Sequence, residues 1–163
     1  MFDLVNGIPL HPLVVHAVVV LLPLAVIGTI AIVVKPYWRV TYGPLVVACA
    51  LVATVLTPVA TSSGEALERR VGDPGEHAHL GDQLIWFAVP LLVLSAALVW
   101  IERRRAAGRT VVGPSALPAV VAGLAVVAAL ATGVQVYRVG DSGAQAAWGS
   151  KVASSSSSST SGG

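Results

Sequence analysis

Charge is scarce in this sequence. Only 11% of its 163 residues are Asp, Glu, Lys or Arg, less than half of the roughly 25% usual in a soluble domain. With 55% apolar residues and a mean hydropathy of +0.81, the chain is too apolar for a water-soluble fold of this length, and one compact membrane domain is expected. Ten basic and eight acidic residues leave a net charge of only +2. No basic patch with interleaved aromatics occurs, which argues against a nucleic-acid partner. Cys49 is the single cysteine, so an internal disulfide and a cysteine metal cluster are both excluded. It reads as a small apolar residue within a span.

Enzyme signatures are also lacking: there is no P-loop, no GxGxxG, no HExxH and no nucleophile elbow. Ser142, in Gly140-Asp141-Ser142-Gly143, lies outside the G-x-S-x-G frame and reads as a turn residue after the last span. No Lys or Arg precedes the first apolar run, which carries Asp3 ahead of it and no small-residue cleavage site after it. That run is expected to stay as a membrane span rather than to act as a signal peptide.

Four apolar runs are long enough to cross a bilayer, which takes about 20 helical residues. They are Pro12–Val34, Val40–Thr61, Gln83–Ile101 and Leu117–Tyr137. Strand alternation is absent, so the fold class is all-α, an integral membrane four-helix bundle, with residues 1–149 as the transmembrane domain. The Ser/Gly-rich tail, residues 150–163, buries no apolar surface and is expected to be disordered. No internal repeat stands out.

Turn chemistry at Asn6-Gly7 and Pro9 leads into the first helix, where Pro12 suits the opening turn. Pro23 and Pro90 are expected to kink spans one and three. Lys35-Pro36-Tyr37-Trp38-Arg39 forms a tight basic turn, with Tyr37, Trp38 and Tyr42 as interfacial anchors. Thr54, Thr57 and Thr61 share one face of span two. Their hydroxyls are expected to bond back to the preceding turn or to a neighbouring helix, with the lining of a pore or a cofactor as the alternative. Ser62-Ser63-Gly64-Glu65 resembles a capping box that starts a short helix to Val71, with Glu65 and Arg69 paired on it. Gly72-Asp73-Pro74-Gly75 ends that helix, and Asp73 caps the next one. In span four, Ala125, Ala129 and Gly133 form a small-residue stripe suited to close helix approach, inside the bundle in preference to a homo-oligomer.

The two short loops hold Lys35, Arg39, Arg103, Arg104, Arg105 and Arg109, against Arg69, Arg70, Arg138 and Lys151 on the other side. The positive-inside rule places the short loops in the cytoplasm and both termini outside, in a multi-pass protein of the cell membrane.

All four histidines, His11, His16, His77 and His79, then fall at the outer ends of spans one and three. His16 and His79 are on different helices at similar depth, and facing helices can project ligands to one metal or haem. His11 and His16, at i and i+5, lie on different faces, as do His77 and His79. One ligand from each pair is therefore expected, with Glu76, Asp82 and Thr61 as candidate acceptors for the second ring nitrogen. Three readings stay open: interfacial histidines without a cofactor, ligands to haem b, or ligands to zinc or copper.

Gly7-Ile8-Pro9-Leu10-His11-Pro12-Leu13-Val14-Val15-His16, His79-Leu80-Gly81 and Val136-Tyr137-Arg138-Val139-Gly140-Asp141-Ser142-Gly143-Ala144 resemble a bacterial membrane family catalogued as domain of unknown function 2231. The resemblance covers about residues 5–149. It implies four transmembrane helices, no settled activity, and an association in some relatives with redox modules such as Rieske-type domains. Two departures stand out. Many relatives have Phe-Pro after the second histidine, where this chain has Ala17-Val18, and many have a histidine at the position of Asp141.

Three functions follow as expectations. The first is a non-enzymatic haem-binding electron-transfer subunit with His16 and His79 as axial ligands, working with a membrane redox partner. The second is a structural or assembly partner of a membrane complex. The third, a metal or small-molecule transporter, has least behind it, because no acid lies inside a span.

Overall fold

The computed structural model describes residues 4–5, 8–71, 75–111 and 113–158, with side chains over 11–65, 75–111 and 113–145. A minimal hairpin, β1 (Leu4–Val5) and β2 (Ile8–Pro9), pairs Leu4 with Pro9 and Val5 with Ile8. The predicted turn residues between them, Asn6 and Gly7, lie outside the described residues. The helices follow: α1 (Leu10–Val34), α2 (Trp38–Thr41), α3 (Gly43–Val71), α4 (Glu76–Ala106) and α5 (Leu117–Ser158).

Four helices are long and apolar enough to span a membrane: His11–Val34, Gly43–Glu65, Glu76–Ala106 and Leu117–Gln145. They match the four expected runs and extend beyond them at most ends; span two starts at Gly43 instead of Val40, which lies in α2. α1 packs on α3 and α5, and α4 packs on the same two, so α1 and α4 stand across the bundle from each other. The terminal end of the bundle carries the start of α1 and the α3–α4 connection. The basic end carries the two short loops.

Two side-chain patterns explain why this arrangement belongs in lipid. Leu13, Val20, Ile27 and Val34 recur every seven residues on α1 and are 63%, 63%, 65% and 70% exposed. Aqueous solvent would leave such a stripe as a large unfavourable apolar patch, whereas acyl chains solvate it. The inward stripe of the same helix holds Leu22, Ala25 and Ile32, buried against α3, α4 and α5.

The interior is built from small residues at close crossings. A Cβ added at Gly28 of α1 would lie 2.7 Å from Val46 of α3, and one at Gly43 of α3 would lie 2.6 Å from Val99 of α4. The stripe on α5 is used internally, as expected: Ala125 and Ala129 are fully buried, and Gly133 faces Val26 of α1.

Interior hydroxyls bond to backbone carbonyls. Thr54 donates to the Ala50 carbonyl (2.7 Å), Thr57 to that of Ala53 (2.9 Å) and Thr61 to that of Pro58 (3.1 Å). The preceding-turn expectation therefore holds for all three. Thr132 of α5 reaches the Phe87 carbonyl of α4 (3.1 Å), and Gln135 reaches that of Leu80 (3.0 Å). Among the described residues, Thr29 is the one buried side chain whose polar atom has no partner.

At the basic end, Arg39 of α2 is a hub that the sequence did not reveal. Its guanidinium donates to the Ile32 carbonyl (2.9 Å), the Val33 carbonyl (3.3 Å) and Glu102 of α4 (3.1 Å). It satisfies the open carbonyl end of α1 and ties that end to α4, with the two charged side chains only 11% and 26% exposed.

Three sequence expectations change. The capping box at Ser62 is not a helix start, because α3 runs unbroken from Gly43 to Val71. Ser62 and Ser63 bond back to Pro58 and Ala60 instead. Helix α5 passes Tyr137 without a break and reaches Ser158, so Ser142 is helical and not a turn residue. Adding a residue to a formed helix is far cheaper than nucleating one, so α5 carries polar and small residues that would not start a helix. At the start of α4 the N-cap is Gly75, at φ 64°. Asp73 falls outside the described residues, and Arg69, the partner expected for Glu65, outside the described side chains.

Thr29 yields a stability prediction. Thr29→Val keeps the shape and removes an unpaired buried hydroxyl, so it should stabilise the bundle by about 1 kcal/mol or more. Thermal unfolding in detergent would show a raised midpoint, and a lowered one would mean that the hydroxyl has a partner in the folded protein.

Candidate functional site: two histidine latches

The first turns of α1 and α4 each place one imidazole in a seam between helices. The His11 Nδ1 lies 2.9 Å from the Ala60 carbonyl and 3.2 Å from Ser63 Oγ, both on α3. The His77 Nδ1 lies 3.1 Å from the Val139 carbonyl and 3.3 Å from Ser142 Oγ, both on α5. In each seam the serine hydroxyl donates to the same carbonyl, at 2.9 Å for Ser63 and 3.0 Å for Ser142.

These contacts fix the tautomer. A carbonyl only accepts, and a serine oxygen whose hydrogen is committed elsewhere also accepts. Nδ1 therefore carries the hydrogen in both rings. When the ring is neutral, Nε2 carries the lone pair, and neither Nε2 has a hydrogen-bond partner among the described residues.

A glycine follows each serine and gives the ring its room. A Cβ at Gly64 would lie 3.1 Å from His11 Cε1, and one at Gly143 would lie 3.0 Å from His77 Cε1. A larger residue at either position would push the ring off its carbonyl. Histidine, serine and glycine thus form one latch, present twice, holding α1 to α3 and α4 to α5 at the terminal end.

The other two histidines are placed differently. His16 is exposed, and its Nδ1 donates to the Pro12 carbonyl of its own helix. His79 is exposed as well, and its Nε2 accepts from Gln83 Nε2 at 2.8 Å, also on its own helix. Neither projects into the bundle.

The proposed acceptors are likewise elsewhere. Glu76 and Asp82 are exposed, and Thr61 bonds within α3. Asp141 accepts from Gln145 (2.9 Å) at the surface of α5. No group of three or more His, Cys, Asp or Glu among the described residues is arranged to hold one metal ion.

The residues that orient the imidazoles were therefore missed: two backbone carbonyls, Ser63, Gly64, Ser142 and Gly143. Carbonyls leave no mark in a sequence. The repeated Ser-Gly dipeptide, Ser63-Gly64 on α3 and Ser142-Gly143 on α5, paired with the histidine in the first turn of α1 and of α4 respectively, was the available signal.

A family model described as a predicted membrane protein (DUF2231) matches residues 7–156. Comparison with curated proteins and with solved structures gives no match.

The latches are expected to carry stability that the surface histidines do not. His11→Ala and His77→Ala should each cost about 1–2 kcal/mol through the lost interhelical bond and ring contact. His16→Ala and His79→Ala should stay within about 0.5 kcal/mol of the parent. Unfolding of the four variants in one detergent separates the pairs, and equal losses for all four would contradict the assignment.

Proposed function

The chain belongs to the DUF2231 family of predicted membrane proteins, and we propose that it serves the cell membrane as a non-enzymatic, multi-pass subunit that binds haem b and passes single electrons to a membrane redox partner. The observation that supports this reading is the fixed Nδ1–H tautomer of His11 and His77, each anchored on a backbone carbonyl with Nε2 unpartnered among the described residues. An axial or metal-bound imidazole needs that arrangement: the carbonyl that accepts from Nδ1–H sets the ring angle and raises the basicity of the ligating nitrogen. His11 and His77 are anchored across helix seams, whereas His16 is anchored on its own helix and the Nε2 of His79 is taken by Gln83. Haem, when bound, supplies a one-electron couple. The chain's own part is to hold the ring through Ala60, Ser63, Val139 and Ser142.

In this reading residues 1–149 form the membrane domain, 150–163 are an appendage, and both termini lie outside. The basic end, with Arg103, Arg104, Arg105 and Arg109, then faces the cytoplasm.

A second reading has an observation of its own. Each latch joins two helices through hydrogen bonds of the chain itself, so the same histidines suit a purely structural or assembly partner of a membrane complex.

The deciding experiment is an oxidised and a dithionite-reduced absorption spectrum of protein purified in mild detergent with ample haem supply. A sharp reduced-minus-oxidised haem band that is lost in His11→Ala or His77→Ala supports the redox reading. A flat spectrum refutes it, and a fixed co-purifying membrane protein would then point to assembly. Cysteines placed at Gly75 and Gly108 in a Cys49→Ser background test orientation: the first should label from outside and the second only from the cytoplasm.

A further inference from the structure

Charge is divided unequally along the chain. The basic end holds Lys35, Arg39, Arg103, Arg104, Arg105 and Arg109 with a single acid, Glu102, for a net charge of +5. The other four cations and seven acids give −3. Glu102 is already paired with Arg39 at 3.1 Å. That leaves Lys35, Arg103, Arg104, Arg105 and Arg109 without a carboxylate partner among the described residues.

Two of these five cations are seated on aromatic rings. The Lys35 ammonium lies 4.7 Å from the centroid of Trp38, and the Arg104 guanidinium lies 4.7 Å from that of Trp100. Each contact restrains a long side chain but uses no hydrogen-bond acceptor, so the N–H donors stay open to a phosphate oxygen. The two seats belong to one surface. Trp38 packs into the apolar cluster that holds Leu98 and Val99, the residues just before Trp100. Arg39 of α2 meets Glu102, the residue just before Arg103.

Depth decides what such a surface meets. Val34, 70% exposed to acyl chains, immediately precedes Lys35, and Trp100, 54% exposed, lies one turn before Arg104. The cations therefore sit where acyl chains give way to headgroup phosphates, within reach of a lipid and less so of a soluble acidic protein. We propose that the basic end is a binding surface for an anionic glycerophospholipid. Lys35 and Arg104 supply seated phosphate donors, Arg103, Arg105 and Arg109 supply the surrounding positive field, and the exposed stripe of Val93 and Trp100 receives an acyl chain. Positive charge at a cytoplasmic loop sets orientation by itself; the seats on Trp38 and Trp100 add a place for one lipid to stay.

Full-length protein in a neutral detergent would be offered phosphatidylglycerol and phosphatidylcholine with the same acyl chains. Native mass spectrometry counts the lipid retained, and the thermal midpoint is recorded with each lipid and with inorganic phosphate at the same concentration. Three variants are informative. Arg103→Gln, Arg104→Gln and Arg105→Gln combined remove charge from the surface. Trp100→Leu keeps every charge and removes one seat. Arg138→Gln, an exposed cation on α5 at the opposite end, is the control. Midpoints in phosphatidylcholine report whether each variant folds; if the triple variant does not, Arg104→Gln alone takes its place.

The expected result is preferential retention of phosphatidylglycerol by the parent and by Arg138→Gln, with a midpoint raised by that lipid and not by phosphate. The triple variant should bind phosphatidylglycerol about 100-fold more weakly, and Arg104→Gln alone about fivefold. Trp100→Leu should bind it about threefold more weakly at unchanged charge. Equal retention of the two lipids by the parent overturns the proposal, as does a triple variant that keeps the preference. A midpoint raised as much by inorganic phosphate would make this a site for a soluble anion and overturn the lipid assignment. Unchanged affinity in Trp100→Leu would leave surface charge alone and overturn the seat.

Discussion

Lipid cannot hydrogen-bond, and the whole structure follows from that constraint. A helix end, a hydroxyl or an imidazole near the hydrocarbon must find its partner within the chain. Thr54, Thr57 and Thr132 find theirs on carbonyls, and Arg39 supplies donors to the end of α1. His11 and His77 do the same at the opposite end of the bundle. Polar side chains are few, and nearly every described one inside the bundle ties a turn to itself or one helix to the next.

Apolar burial does not drive helices together in a bilayer as it does in water, because lipid tails solvate apolar side chains as well as other helices do. Close packing and a few interhelical hydrogen bonds carry that task. Gly28 and Gly43 allow the close approach, the buried alanines of α5 extend it, and Gln135 and the latches add directional bonds. Because the latches use backbone acceptors, they also fix ring tautomer and ring angle. Stability and any ligand chemistry therefore draw on the same contacts. Losing a latch loosens a hairpin and frees the imidazole at once.

Much of the fold was legible in the sequence, since span length and apolar runs respond to bilayer thickness alone. The four spans, the back-bonded threonines and the internal use of the Ala125–Ala129–Gly133 stripe could all be read from residue type and spacing. The breaks around Ser62 and Tyr137 were misread, because local cap and turn propensities give way to a helix already nucleated and anchored. The candidate site was legible only as four histidines. Their sorting into two seam-bound and two surface rings depends on helix rotation, and the partners of the seam-bound pair include carbonyls.

The central claim is that His11 and His77 are held alike, hydrogen on Nδ1 and lone pair on Nε2. Nitrogen-15 magnetic resonance of histidine-labelled, metal-free protein in lipid nanodiscs tests it most directly, with single His→Asn variants to assign each ring. At a pH where the rings are neutral, the account predicts a protonated Nδ1 and an unprotonated Nε2 for both, with closely similar shifts. A hydrogen on Nε2 of either ring, or rapid averaging between tautomers, would contradict it.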